Sequence, residues 1–145
     1  MLSKETITAI IVDNYSRNSF VQLCDIKFDD VKCGEVCLSM LIDDEKHTNM
    51  YSVVHGGALA SLADTALGAA CASVGARAVT LEYSIKFVSN LHAGDKATAI
   101  GTVLKHGHKI ITVRVETFNK AGDLLTEVTG TMFAIGSFDG IPEQW

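Results

Sequence analysis

Proline occurs once in 145 residues, so no proline-rich linker marks a domain boundary. No low-complexity run and no repeat of solenoid length interrupts the chain. One domain spanning 1–145 is expected, because halving that length would leave each part short of core. Long apolar runs are also scarce. The most apolar stretch, 58–76, is rich in Ala and Gly and carries Asp64 near its centre, which suits a buried helix better than a membrane span. The N-terminal MLSKETITAIIVDNYSRN has charges within its first five residues and no continuous apolar core of a signal peptide. A cytoplasmic location without membrane association is the expectation. The four cysteines, Cys24, Cys33, Cys37 and Cys71, include no CxxC pair and read as free thiols. Positive charge is in deficit, with 12 basic against 17 acidic residues and a formal charge of −5. The cations are scattered, which argues against nucleic acid as partner but leaves room for a phosphorylated small ligand. His47, His92, His106 and His108 lack metal-ligand spacing on one element and read as solvated loop histidines. No G-x-S-x-G elbow is present. No metal and no bound cofactor are expected.

What the chain does contain is an ordered series of elements. Residues 3–15 read as a short helix, with Ser3 as N-cap and Ile7, Ile10 and Ile11 on one face. Two strands are expected at 21–28 and 34–42, joined by a turn at Asp29 and Asp30, and DDEKHTN (43–49) reads as a loop. A long helix begins near Gly56 and Gly57 and runs to about Val74, closing at Gly75. Strands follow at 79–88, 96–104, 109–118 and 125–135, with turns around Gly94, Gly107 and Gly122. In the third of these, Ile111, Val113 and Val115 alternate with Thr112, Arg114 and Glu116, as in a strand buried on one face. The expected architecture is α+β: an antiparallel sheet, its last four strands a meander, curled around one central helix. That helix is apolar on nearly every face, so a second copy of the chain is expected to complete its cover.

Asp64 is the only charged residue between His55 and Arg77. A lone carboxylate in such a helix is costly unless paired, hydrogen-bonded or used. It is either a buried acid satisfied by Ser or Thr hydroxyls or a functional group, and its neighbours favour function. His55-Gly56-Gly57 leads into the helix, where glycines admit close approach of a ligand to the backbone. The helix N-terminus offers unpaired N–H donors and the positive end of the dipole. Such donors polarise a carbonyl and hold the oxyanion formed on water attack. Gly57 and Asp64 lie seven positions apart, roughly 10 Å along one helix at ~1.5 Å per residue. Both must approach one carbonyl closely, so the pair predicts a dimer in which Gly57 of one chain meets Asp64 of the other.

The run HTNMYSVVHGGALASLADTALGAA, continued by VTLEYSIKFVSNLHAGDKATAIGTVLKHGHKIITVRVETFNKAGDLLTEVTGTMFAIG, resembles the hotdog-fold thioesterases of the phenylacetyl-CoA thioesterase type. The resemblance implies hydrolysis of an acyl-CoA substrate and assembly as a homodimer or dimer of dimers. Asp64 matches the family's acid, acting as general base or nucleophile. Gly57 matches the oxyanion-hole donor, Asn49 the asparagine that orients the thioester, and Thr80 the hydroxyl that steadies the attacking water. His55 matches a positioning histidine beside the hole. Gly56, Asn90, His108 and Lys109 fall at substrate- or CoA-facing positions. The chain departs from the pattern at Asn90, where a proline commonly ends the strand, and at His108, which occupies a Gly-Arg-like turn. Two other readings remain open at this level: a non-catalytic acyl-CoA binding or sensing module, and a hotdog hydratase acting on enoyl or hydroxyacyl thioesters.

Overall fold

The computed structural model describes residues 1–145. The N-terminal helix α1 (Lys4–Ser16) starts as expected at Ser3, whose hydroxyl accepts the Thr6 N–H at 3.2 Å. Ile7 and Ile11, one turn apart, are fully buried and anchor it. The strand expected at 21–28 begins later. Residues 19–23 instead form one helical turn, α2 (Ser19–Leu23), capped by Asn18. The chain then reverses at Asp25, whose φ of 55° is left-handed. Strand β1 (Ile26–Lys32) follows, so Asp29 and Asp30 do not make the turn. They sit at a bulge in β1, and the reversal falls at Cys33 and Gly34, the latter with φ +78°. After β2 (Glu35–Leu41), the polar segment carries a helical turn, α3 (Asp44–His47), because the Asp43 carboxylate caps the Glu45 and Lys46 N–H groups.

The central helix α4 (Gly56–Ala72) is followed by β3 (Ala76–Phe87), β4 (Lys96–His106), β5 (Ile110–Phe118) and β6 (Leu124–Ser137). All pairings are antiparallel, in the order β1-β2-β4-β5-β6-β3. The last four strands are therefore not a simple meander. Only β4, β5 and β6 run consecutively. β3 crosses to the far edge and pairs with β6, with Tyr83 opposite Gly130. Period-two patterning identifies strands but does not say which neighbour each will choose. The alternation read in β5 holds: Ile111, Val113 and Val115 are buried.

α4 packs against β2, β3, β4, β5 and β6, the hotdog arrangement. Two glycines let it lie close. A Cβ at Gly101 would stand 2.9 Å from the Ala66 carbonyl oxygen, and one at Gly130 2.7 Å from the Leu67 side chain. Leu59, Leu62, Ala63, Ala66, Leu67 and Ala70 fill the space between helix and sheet. Each buried leucine contributes about 1.5–3 kcal/mol. The helix ends at Ser73, and Gly75 turns the chain with φ +80°, where a Cβ would collide with the Ile141 carbonyl. The C-terminal tail covers this end, and the Trp145 indole N–H donates to the Ser73 carbonyl at 2.7 Å. No helix is long and apolar enough to cross a membrane.

Candidate active site

One face of α4 escapes the sheet. Gly57, Ser61, Asp64, Thr65 and Gly68 recur at spacings of three and four and are exposed or half-buried. The Ser61 and Thr65 hydroxyls are spent on their own helix, donating to the Gly57 and Ser61 carbonyls at 2.7 and 2.8 Å. Asp64 is satisfied from elsewhere: Thr80 on β3 donates to its Oδ1 at 2.7 Å. The strand that follows the helix folds back antiparallel to it, which brings Thr80 level with Asp64. The two border a cavity of about 670 Å³ whose outer wall is the N-terminal pair of helices, through Tyr15, Phe20 and Val21.

Tyr15 is a site residue that the sequence reading passed over. Its ring leans on Phe28, with centroids 5.7 Å apart. Its hydroxyl lies over Gly68, where a Cβ would come within 3.1 Å of it. Burial holds the phenol above its ordinary range, with the nearby Cys71 thiol and the Asp64 carboxylate adding to the effect. It therefore stays a neutral donor. The available signal was Gly68 itself, a gap in an alanine-rich helix one turn past the acid.

His55 caps α4, its Nδ1 accepting the Gly57 N–H at 2.7 Å. That bond assigns Nδ1 as the acceptor and puts the proton of a neutral ring on Nε2. The Gly57 donor is thus occupied by its own neighbour within the chain. His55 and Gly57 border a second cavity of about 630 Å³, together with Lys46, Thr48 and Ser61. Gly57, at the start of α4, and Asp64, at its middle, face different cavities along one open helix face.

The remaining candidates scatter. Asn49 folds onto its own loop, its Oδ1 accepting the Tyr51 N–H at 2.9 Å and the Val53 N–H at 3.4 Å. Gly56 is the first residue of α4, pressed against the Phe87 ring. Asn90 is exposed in the loop after β3. His108 borders a small cavity under the C-terminal tail with His106 and Glu143. Lys109 lies 5.9 Å from the Phe133 ring centroid. None of these borders the Asp64 cavity. His47 is not the solvated loop histidine expected. It is buried, accepting the Asp43 N–H at Nδ1 (2.9 Å) and meeting the Cys24 carbonyl through Nε2 at 2.8 Å. It braces the loop that carries Asn49 and His55. Cys71 is buried, and burial pushes its thiol up to about 12.

Comparison with known proteins places this geometry. The pattern of the thioesterase superfamily matches residues 51–126. Human acyl-coenzyme A thioesterase 13 is 31% identical over 97 residues, covering 65% of this chain and 69% of that protein. The acyl-coenzyme A thioesterase PaaI of Escherichia coli is 35% identical over 88 residues, 61% of this chain and 63% of that protein. The solved structure of E. coli PaaI superposes with a TM-score of 0.86 at 26% identity, covering 92% of this chain and 96% of that one. A Streptococcus mutans protein solved with acetyl-CoA gives 0.74 at 28% identity, covering 77% and 90%. The chain belongs to the thioesterase superfamily, as a hotdog-fold member of the PaaI-like acyl-CoA thioesterase type.

Proposed function

We propose that this protein hydrolyses acyl-CoA thioesters at a site shared between two copies, with Asp64 as the acid-base or nucleophilic group and the Gly57 N–H as oxyanion donor. The observation that carries this reading is the open face of α4. It presents a carboxylate held by Thr80 in one cavity and a helix N-terminal amide in another, on a chain whose relatives are named acyl-CoA thioesterases. Two such helices packed antiparallel about a two-fold axis bring the acid of each chain to the amide of the other. β3 supports the pairing: it is a sheet edge with an unpaired backbone side and with Val79, Leu81 and Phe87 exposed at 46%, 56% and 53%.

In the general-base form of the reaction, the Asp64 carboxylate takes a proton from water that Thr80 helps to fix. The water oxygen bonds to the thioester carbon, and the charge collects on the former carbonyl oxygen beside Gly57. Collapse breaks the C–S bond, and the proton passes to the departing thiolate, giving free acid and CoA. In the nucleophilic form, Asp64 attacks first and water cleaves the anhydride. Both need the Gly57 N–H. His55 is exposed, and in this reading the oxyanion replaces its Nδ1 on that amide as charge develops. His55 thereby keeps the donor aimed and satisfied between turnovers. The site asks for no cofactor in either form.

The test is release of free CoA from an acyl-CoA panel by wild type and D64N, with folding checked by thermal melting. Hydrolysis by wild type and its loss in a folded D64N is the expected result. Full activity in D64N overturns the assignment of the acid.

A further inference from the structure

The open strip of α4 has a definite end. Past Asp64, Thr65 and Gly68 are half-buried, but Cys71 and Ala72, the next residues on that face, are fully buried. Beyond them the C-terminal tail covers the helix, with the Trp145 indole on the Ser73 carbonyl. Gly68 is therefore the last point at which a ligand lying on this face can touch α4, one turn or about 6 Å past the acid.

Tyr15 stands at that point. The nearest atoms that a Cβ on Gly68 would meet are the Tyr15 Oη at 3.1 Å and Cε1 at 3.7 Å, so the phenol rests on the helix backbone. Phe28 supports the ring, with centroids 5.7 Å apart, and the buried Ile7 and Ile11 pin the helix that carries it. Burial keeps the hydroxyl protonated, so the stop carries no charge. Before the stop, the buried Val21 and Met132 and the Phe20 ring give the cavity apolar surface. An acyl-CoA carries two groups on its reacting carbon. The CoA arm ends in phosphates and must reach solvent, so the acyl chain is the group that gains from apolar surface.

We infer that Tyr15 is a specificity-determining residue that limits the acyl chain, closing the Asp64 cavity one helical turn past the acid, so that the substrate class is short-chain acyl thioesters. The inference rests on the thioesterase reading above. A short chain gains contact with Phe20, Val21 and Met132 as far as the phenol. Each further carbon has to displace a ring held between Phe28 and the helix backbone, and close packing makes that costly.

The experiment measures kcat/KM for butanoyl-, hexanoyl-, octanoyl- and decanoyl-CoA with wild type, Y15F, Y15A and the double variant Y15F/G68A, and thermal melting confirms the fold. Wild type is expected to fall by roughly tenfold or more at the step where the chain first meets the phenol. Y15A removes the stop and should raise the decanoyl-to-butanoyl ratio by roughly 10- to 100-fold, at about fourfold for each methylene that finds room. Y15F keeps the ring against Phe28 and removes only the atom over Gly68, so it should raise the same ratio to a smaller extent. G68A added to Y15F puts a methyl back into that gap, and the ratio should return towards the wild-type value. A merely structural role for Tyr15 would lower all four esters together and would give no such reversal. If Y15A scales every ester by the same factor, or wild type hydrolyses decanoyl-CoA as well as butanoyl-CoA, the inference is overturned and the thioesterase reading stands. Absence of hydrolysis from all four esters removes both.

Discussion

The shared site can be tested by restoring activity from two dead proteins. D64N removes the acid without changing the shape of the cavity wall, and G57P removes the amide donor. Proline is tolerable there because Gly57 is the second residue of α4, where the N–H has no partner within the helix. Its one acceptor, His55 Nδ1 at 2.7 Å, is an exposed side chain that can turn away. Loss of a general base costs roughly 10²–10⁴ in rate, and loss of an oxyanion donor roughly 10²–10³, so each variant alone is close to inactive. The two positions are about 10 Å apart along one helix and face separate cavities. A mixed dimer of one D64N and one G57P chain then holds one doubly damaged site and one site with Gly57 and Asp64 both intact. Random re-association of equal amounts makes about half the dimers mixed, with one of two sites active, so roughly a quarter of wild-type activity returns. The assay is CoA release after co-refolding, with two affinity tags to isolate the mixed dimer. Activity that stays at the level of the single variants refutes the cross-chain arrangement, since a site contained in one chain is damaged in every subunit of the mixture.

T80V removes the donor at 2.7 Å from Asp64 Oδ1 and should lower kcat by about tenfold or more with little change in KM, because it affects the acid rather than substrate binding; unchanged kcat would show the hydroxyl to be idle. G101A places a methyl 2.9 Å from the Ala66 carbonyl oxygen, which lifts α4 off the sheet. Overpacking of this kind costs about 1–3 kcal/mol, read as a lower urea midpoint, and a midpoint at or above wild type would contradict the close helix–sheet contact. Cys71, pushed up to about 12 by burial, remains protonated throughout the neutral range and should resist iodoacetamide at pH 8 in the folded protein, then react on unfolding. Mass spectrometry of the alkylated protein distinguishes the outcomes, and rapid native labelling at Cys71 would mean that the core opens readily.

Much of this protein is visible in one dimension because the relevant signals are local. The Ser3 cap and the paired isoleucines mark α1, strict alternation marks β5, and a lone acid in an alanine-rich run marks Asp64 on α4. The errors have a common origin in longer range or in cap chemistry. Val21 has strand propensity, yet the Asn18 cap and the left-handed Asp25 turn 19–23 into a helix. Asp29 and Asp30 look like turn residues, but a bulge absorbs them into β1. His47 lies in a polar stretch and is still buried, because the Asp43 N–H of its own turn satisfies one ring nitrogen and the Cys24 carbonyl, distant in sequence, meets the other.

The order of polar and apolar residues was enough to determine α1, the strands from β2 onward, the central helix and the acid within it, since hydrophobic periodicity and capping act over a few residues. Only the tertiary structure decided that β3 would leave its sequence neighbour β4 for the edge beside β6, that Thr80 rather than Ser61 or Thr65 would hold Asp64, and that Tyr15 and Arg77 would share a cavity with it. Those facts depend on which surfaces meet once loops of different lengths close. No local spacing encodes a contact between residue 15 and residue 68, and it takes the packing of α1 across the open face of α4 to create one.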